Sequence, residues 1–284
     1  MNSLKNAGLI GLAALLAIAA PAQAMTWETA PIQRGKPAMS ANSLAGTPAT
    51  GHAPVGMPQP TYLLRDGEGA TAVLWAPDLA ATPLTPVGER FTPPATGIDY
   101  YHLLWAQRLQ GGVMETATRW YAAHGKPSGH SPSELTGAAR AGLEVIPDPL
   151  PREHWRYQEE KPAAFRVSLD GQPLPGATVL LKTAQHTTLE GRSDAAGRVV
   201  FTLPLDLLVP SADAPKSPFD RGPKGAMKVR AETERGGIRY IATLSADYYG
   251  GLSRNHSLDW GWKGAVGGFA LGLIVLSRRK AGAS

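Results

Sequence analysis

Histidine side chains are the groups in this sequence best suited to chemistry, because imidazole binds nickel, copper and zinc. His124 and His130 lie in one polar stretch, HGKPSGHSPSE, where Glu134 adds a carboxylate, and His154 follows in REHWRY. These four residues are the first candidate ligands for a transition-metal ion. The alternative is that the histidines are surface or hydrogen-bonded side chains, since no histidine pair in the chain has HxH or HExxH spacing.

A second group of candidate metal ligands lies nearer the start of the chain, in the stretch GHAPVGM. His52 offers an imidazole and Met57 a thioether, and Met39 lies upstream. Thioether sulfur selects Cu(I), so a flexible Met/His segment could capture that ion. Three ligands in a proline-rich segment are few, and the chain has no cysteine that could add a thiolate or form a disulfide.

Catalytic patterns are weak in this chain. The stretch GHSPS around Ser131 resembles a nucleophile elbow, which requires Gly-x-Ser-x-Gly at a turn from strand to helix. Here Pro132 follows the serine, and Ser133 stands where the second glycine should be. The adjacent Glu159 and Glu160 are expected to be a solvated face rather than a glycosidase pair. The sequence therefore predicts a protein that is not an enzyme.

The elements that must position these side chains begin after an N-terminal export signal. Lys5 precedes an apolar run over residues 7–20, and Ala22-Gln23-Ala24 follows. A basic start, a short apolar run and a small-x-small site are typical of a secretory signal peptide. We expect residues 1–24 to be removed, leaving Met25 as the new N-terminus; the alternative is a buried N-terminal helix.

The C-terminal region, residues 251–284, has the pattern of a single-pass membrane anchor with a basic cytoplasmic tail. The uncharged, mostly apolar segment 264–277 would cover roughly 21 Å as a helix, short of a hydrocarbon core of about 30 Å. Interfacial tryptophans and snorkelling bases can complete the span. These residues are Trp260, Trp262, Arg278, Arg279 and Lys280. Because the bases follow the segment, the main body is predicted on the periplasmic side of a bacterial inner membrane.

The anchor also suggests contact with a second copy of the chain. Gly264, Gly268 and Gly272 recur every four residues, which allows two membrane helices to approach closely and form a homodimer. The alternative is that these glycines reflect only the composition of membrane helices. A glycine-rich apolar helix followed by arginines also resembles bacterial C-terminal sorting tails, although the Pro-Glu-Pro signature is missing.

The charge balance gives no support for nucleic-acid binding. The chain has 28 Lys and Arg against 23 Asp and Glu. Five of the bases, and none of the acids, lie in the signal peptide and in residues 260–284, namely Lys5, Lys263, Arg278, Arg279 and Lys280. The exported body is therefore neutral overall, which argues against a phosphate-backbone partner.

Between the signal and the anchor, short apolar runs alternate with turn residues, which predicts a mainly β protein. We expect an irregular Pro/Ala/Gly-rich leader over 25–60, a β-rich domain over 61–148 and an antiparallel β-sandwich over 149–250. TYLLRDGEGATAVLW and RVSLDGQPLPGATVLLKT each read as strand, turn, strand. Residues 98–121 fit two strands or two short helices, and the surrounding pattern favours strands.

Two motifs of the second domain resemble known families. SLDGQPLPGATVLL followed by SDAAGRVVFTLP resembles the transthyretin-like and carboxypeptidase-regulatory-like modules, which implies a Greek-key β-sandwich. With LEVIPDPLP, a Gly-Gly hairpin and the apolar tail added, the stretch from about Leu143 to Tyr249 is similar to the NikM-like periplasmic family. Members of that family often carry a histidine just after the signal cleavage site, where this chain has Met25-Thr26-Trp27.

The resemblance implies a function in transition-metal handling. It implies a membrane-anchored periplasmic protein that assists the binding or transport of nickel, cobalt or copper, with a transport permease or another envelope protein as partner. The alternative hypothesis is a structural or protein-interaction module displayed at the cell envelope without a metal. It is motivated by the neutral body and by the lack of a catalytic set of residues.

Overall fold

A computed structural model describes residues 24–31, 60–151, 156–208 and 223–250, and these residues are mainly β. The N-terminal strands are β1 (Thr26–Thr29), β2 (Tyr62–Arg65), β3 (Thr71–Trp75), β4 (Ala81–Leu84), β5 (Arg90–Phe91), β6 (Tyr100–Gln110) and β7 (Val113–Ala123). Then follow α1 (Pro132–Gly137), β8 (Leu143–Pro147), β9 (Tyr157–Gln158), β10 (Pro162–Leu169) and β11 (Gln172–Pro173). The last strands are β12 (Thr178–Thr183), β13 (Thr188–Arg192), β14 (Arg198–Thr202), β15 (Lys224–Arg235) and β16 (Ile238–Tyr249).

One large sheet contains strands from both predicted domains. Its order is β13-β12-β15-β16-β7-β6-β3-β4, and β9 also pairs with β16. The β16–β7 and β16–β9 pairs are parallel, so the expectation of a wholly antiparallel arrangement is wrong at β16. Parallel pairing needs a long connection, and β8 to β15 lie between these two strands in the chain. The predicted boundary between residues 148 and 149 does not coincide with an edge of this sheet.

A four-stranded sheet packs on one face of the large sheet. Its central strand β10 pairs with β8, β11 and β14. Phe165, Val167 and Leu169 are buried, as their alternation with polar residues predicts. The core between the two sheets includes Val145, Phe165, Val167, Val179, Leu181, Phe201, Val229 and Leu244. This part of the chain is therefore a sandwich of two β layers.

The stretch RVSLDGQPLPGATVLLKT is not a simple hairpin. β10 turns back only onto the two-residue strand β11, and the chain then crosses to β12 in the large sheet. The predicted pairing of its two long strands is wrong because both strands carry an apolar face. By lying in opposite layers they bury those faces against each other.

A three-stranded sheet, in the order β1-β2-β5, packs elsewhere on the large sheet. The predicted hairpin TYLLRDGEGATAVLW is likewise split, since β2 pairs with β1 and β5 whereas β3 pairs with β4 and β6. The expectation of an irregular leader is wrong at its start, where β1 is a strand whose first two residues are buried. The second core contains Met25, Trp27, Tyr62, Ala72, Leu74, Leu84, Phe91, Leu104, Ala106 and Ala117.

The two cores lie on opposite faces of the large sheet. Thr243 of β16 stands beside Ala117 of β7, which belongs to the second core. Its neighbours Ala242 and Leu244 belong to the first core. Since successive side chains of a strand point to opposite faces, the three-stranded and four-stranded sheets cover different sides.

Two further expectations can be compared with the fold. Strands β6 and β7 occupy most of residues 98–121 and are joined at Gly111 and Gly112, which have positive φ angles, so the preference for strands over helices is confirmed. The solvated-face expectation is wrong for Glu159, which is buried and accepts a hydrogen bond from the Leu207 amide at 2.7 Å. Glu160 is exposed, as expected.

Candidate functional site

His130 and Glu134 are in contact at the start of helix α1. The His130 Nδ1 atom lies 2.8 Å from Glu134 Oε2, and Glu134 Oε1 accepts a hydrogen bond from the Ser131 amide at 3.0 Å. Hydrogen bonds from His130 and Ser131 lower the pKa of Glu134, so its carboxylate is ionised at neutral pH. Ser131, considered above as a nucleophile, is the N-cap of this helix, with Oγ accepting from the Ser133 amide.

His124 lies beside a different carboxylate. Its Nδ1 atom is 3.8 Å from Asp99 Oδ1, and the imidazole is largely exposed. Among the residues that the structure describes, no three His, Cys, Asp or Glu side chains are grouped so that they could hold a metal ion. The other predicted ligands, His52, Met57 and His154, lie outside the described residues.

His102 shows what a structural histidine looks like in this fold. It is fully buried and stacks on Tyr121 with 5.5 Å between ring centroids. Nδ1 donates to the Tyr100 carbonyl at 3.0 Å, and Nε2 therefore accepts from the Thr96 hydroxyl at 2.7 Å. Burial lowers the pKa of His102, so this imidazole is neutral and fully hydrogen-bonded.

The anchor prediction falls outside the described residues. Its members are Trp260, Trp262, Gly264, Gly268, Gly272, Arg278, Arg279 and Lys280. Within the four ranges that the structure covers, no helix is long and apolar enough to cross a membrane.

A charged cleft opens beside β1, where β1 lies over β16 and β7 and faces β15. Its volume is about 290 Å³, and it is lined by Trp27, Glu28, Thr29, Arg119, Lys224, Ala226, Met227, Lys228, Ser245, Ala246 and Asp247. This set contains three bases and two acids. We call it the charged cleft.

The floor of the charged cleft is a row of side chains across three adjacent strands. In the sheet register, Lys228 of β15 stands opposite Ser245 of β16, and Ser245 stands beside Arg119 of β7. Neighbouring strands are about 4.8 Å apart, so a hydroxyl is flanked on both sides by a cation. Such a row presents several hydrogen-bond donors and positive charge to one small volume.

Carboxylates at the two ends of the row hold the cations in place. Arg119 Nη2 lies 2.9 Å from Asp247 Oδ2, and Lys224 Nζ lies 3.0 Å from the same oxygen. Lys228 Nζ lies 3.2 Å from Glu28 Oε1 on β1. Since the bases outnumber the acids, the cleft keeps a formal positive charge after these pairs are made.

Two polar atoms at the base of the charged cleft have no partner. Within the described residues, neither the Nε of Arg119 nor the Oγ of Ser245 has a hydrogen bond, and both atoms are buried. The Arg119 side chain is only 9% exposed. A buried donor without a partner costs about 1–3 kcal/mol, so a small movement of these side chains that brings them to a water molecule or a ligand group in the cleft would be favourable.

The surroundings set the protonation states of the groups beside the cleft. Burial opposes ionisation of Glu28, but hydrogen bonds from Arg65 and Lys228 outweigh it, and the pKa of Glu28 is lowered. Burial raises the pKa of Tyr62 to about 12, and Arg119 lies over the Tyr62 ring, 5.7 Å from its centroid. At neutral pH the Glu28 carboxylate is therefore ionised, and the Tyr62 phenol beside the cleft is neutral.

The charged cleft was not predicted from the sequence, because its wall, β1, lies within the segment expected to be an irregular leader. The stretch MTWET contains a tryptophan and two β-branched threonines, a composition that is typical of a strand and could have identified it. The row of Arg119, Lys228 and Ser245 had no such local signal. These three residues come from separate strands, and only the pairing register aligns them.

Comparisons with known proteins place few limits on the function. No family model and no curated protein matches the chain. One solved structure with partial similarity is described as a Ca²⁺-stabilized adhesin that helps an Antarctic bacterium reach out and bind ice. The match has 13% sequence identity and a TM-score of 0.25, and it covers 68% of this chain and 43% of the adhesin chain.

Proposed function

We propose that this protein is an exported, non-enzymatic binding module whose charged cleft binds a small anionic ligand through a carboxylate or phosphate group. The observation that carries the proposal is the row of Lys228, Ser245 and Arg119 beneath β1, with buried Ser245 and Arg119 atoms that lack partners. Oxyanions accept several hydrogen bonds at once, and arginine and lysine are the usual donors to them.

The size and shape of the cleft support a small ligand. A volume of about 290 Å³ lies at the lower end of the range for small-molecule sites. Trp27 and Met227 border the cleft but are each only 1% exposed, so a ligand meets mainly the charged row and the small side chains around it, which suits a compact anion. The proposal also includes export to the periplasmic side and attachment to the membrane through the C-terminal segment. We further propose that the β-sandwich has the transthyretin-like Greek-key topology.

Replacing Lys228 by glutamine should weaken anion binding about tenfold, because one charge-assisted hydrogen bond of roughly 1.5 kcal/mol is lost. The full chain, purified in mild detergent at low salt, would be titrated with phosphate, sulfate, acetate and citrate by calorimetry. We expect the Ser245→Ala variant to bind the preferred anion more weakly too. The affinity should fall as salt rises, since screening weakens the attraction.

Lys182→Gln is the matched control for this experiment. Lys182 is exposed on β12 and stands directly opposite Lys228 in the β12–β15 register, yet it does not line the cleft. The Lys182→Gln variant removes the same charge from the same face of the sheet. Because Lys182 does not line the cleft, this variant should change the affinity for the anion only slightly. Equal weakening by both variants, or no saturable binding of any of the four anions, would contradict the proposal.

A transition-metal role is the second candidate, and one contact favours it. His130 and the ionised Glu134 present a nitrogen and an oxygen ligand 2.8 Å apart, a donor set that suits nickel, cobalt, copper or zinc. A complete site needs more ligands than this pair, and His124, His154, His52 and Met57 stay the proposed sources. The resemblance to the NikM-like family supports the same proposal, with a permease or another envelope protein as partner.

The His130→Ala variant tests the metal role. If the site exists, this change should weaken binding of the preferred metal at least about tenfold, because one of few ligands is lost. Binding of Ni²⁺, Co²⁺, Cu²⁺ and Zn²⁺ by the full chain would be measured by equilibrium dialysis. His186→Ala, which removes another exposed histidine, is the control. A wild-type chain that binds none of the four metals more tightly than about 1 mM would exclude this function.

A further inference from the structure

Met25, the residue before β1, is buried although it lies next to the predicted signal-peptide cleavage motif. Met25 is 1% exposed, and it lies directly after Ala22-Gln23-Ala24. Its carbonyl oxygen accepts a hydrogen bond from the Thr243 hydroxyl. Its backbone nitrogen lies 3.4 Å from Glu115 Oε1, on strand β7 of the large sheet beneath it. The residue that processing would place at the N-terminus therefore already packs in the second core.

The two oxygens of the Glu115 carboxylate contact different groups. Arg108 donates to Oε2 from both Nε and Nη2, whereas Oε1 faces the Met25 nitrogen. The Glu115 side chain is only 10% exposed. One oxygen of a buried carboxylate is thus directed at a single backbone nitrogen.

We propose that cleavage after Ala24 makes Met25 the N-terminus and that its new α-ammonium group pairs with Glu115 Oε1, which fixes β1 against the large sheet. In an uncleaved chain the same nitrogen is a neutral amide with one proton. After cleavage it carries three protons and a positive charge, and a hydrogen bond between charged groups is roughly twice as strong as a neutral one.

The new ion pair has a consequence beyond the N-terminus. Trp27, Glu28 and Thr29 form one wall of the charged cleft, and they lie two to four residues after Met25 in the same short segment. Processing therefore stabilises the wall of the cleft in the exported protein. The Met25–Glu115 pair and its effect on β1 are independent of which ligand the cleft binds.

Two forms of the full chain would test the proposal. One begins at Met25 and the other at Ala24, and both are released from a fusion partner, because a methionine before threonine is removed during synthesis. The form beginning at Met25 should melt about 3 °C or more higher at pH 7, the shift expected for one added interaction in a chain of this size. The N-terminal residue of protein isolated from its own cells should be Met25 by mass spectrometry.

The Glu115→Gln variant identifies the partner. It keeps the shape of the side chain and an acceptor for Arg108, so the difference in melting temperature between the two forms should disappear. Glu28→Gln removes a different acid from β1 and should leave that difference in place. A native N-terminus at another residue, equal melting of the two forms, or a difference that persists in Glu115→Gln would overturn the proposal.

Discussion

The Arg140→Met variant is expected to lose about 3–5 kcal/mol of unfolding free energy at neutral pH, because it leaves a buried carboxylate without its counter-charge. Arg140 Nε lies 2.8 Å from Glu144 Oε1, and both side chains are almost fully buried. Arg140 also donates to the Leu135 carbonyl at 3.1 Å, and its guanidinium lies over the Trp75 ring. The pair ties helix α1 and β8 to the large sheet.

The loss in Arg140→Met should depend on pH. Burial raises the pKa of Glu144 above its usual 4.5, and Arg140, with a smaller contribution from Arg166, offsets only part of that effect. When Arg140 is removed, the pKa of Glu144 rises further, because Arg166 alone offsets less of the burial effect. A carboxyl whose folded-state pKa is raised favours the folded state at low pH, and this contribution is lost as the pH rises through that pKa. Urea unfolding should therefore show a smaller deficit at pH 5 than at pH 8.

A double variant separates the cost of an unpaired charge from a general packing defect. Arg140→Met with Glu144→Leu removes both charges and fills the space with apolar atoms, so it should recover most of the lost stability. A single variant as stable as the parent protein would contradict the argument. So would a deficit that is the same at pH 5 and pH 8.

The Trp27→Ala variant should lose about 3–5 kcal/mol of unfolding free energy and most of its affinity for the cleft's anion. The indole is 1% exposed and meets the Phe91 ring edge-on at a centroid distance of 5.1 Å. Its Nε1 donates to the Ala117 carbonyl at 3.1 Å, which joins β1 to the large sheet. Removal of this ring leaves a cavity and loosens one wall of the cleft.

Two further variants define the effect of Trp27. Trp27→Phe keeps an aromatic ring but loses the indole hydrogen bond, so a loss of about 1 kcal/mol with anion binding retained is expected. Val87→Ala changes an exposed loop residue and should stay within about 0.5 kcal/mol of the parent protein. If Trp27→Ala unfolds at the same urea concentration as Val87→Ala, β1 is not part of the cooperative core.

The strands of this protein were largely predictable because their signals are local. Phe165, Val167 and Leu169 alternate with polar residues, and such alternation arises wherever one side of a pleated strand is buried. Gly111 and Gly112 mark a tight turn for the same local reason, since glycine readily adopts positive φ angles.

The pairing of those strands was not predictable in the same way. Two predicted hairpins, around residues 62–75 and 166–183, are split between sheets. An alternating pattern specifies which side of a strand is buried, but it does not specify the neighbouring strand. That choice depends on how much apolar surface each arrangement buries, which is a property of the whole chain.

The two candidate sites also differ in how far the sequence predicted them. His130 and Glu134 are only four residues apart, on either side of the Ser131 N-cap, so the short spacing in the sequence already predicted that they would lie close together. Arg119, Lys228 and Ser245 come from three distant parts of the chain, and only the parallel pairing of β16 with β7 aligns them. Local spacing thus determined the alternating strands, the turns and the contact between His130 and Glu134. The charged cleft was decided by the tertiary structure, because strand register is selected by the packing of side chains that are far apart in sequence.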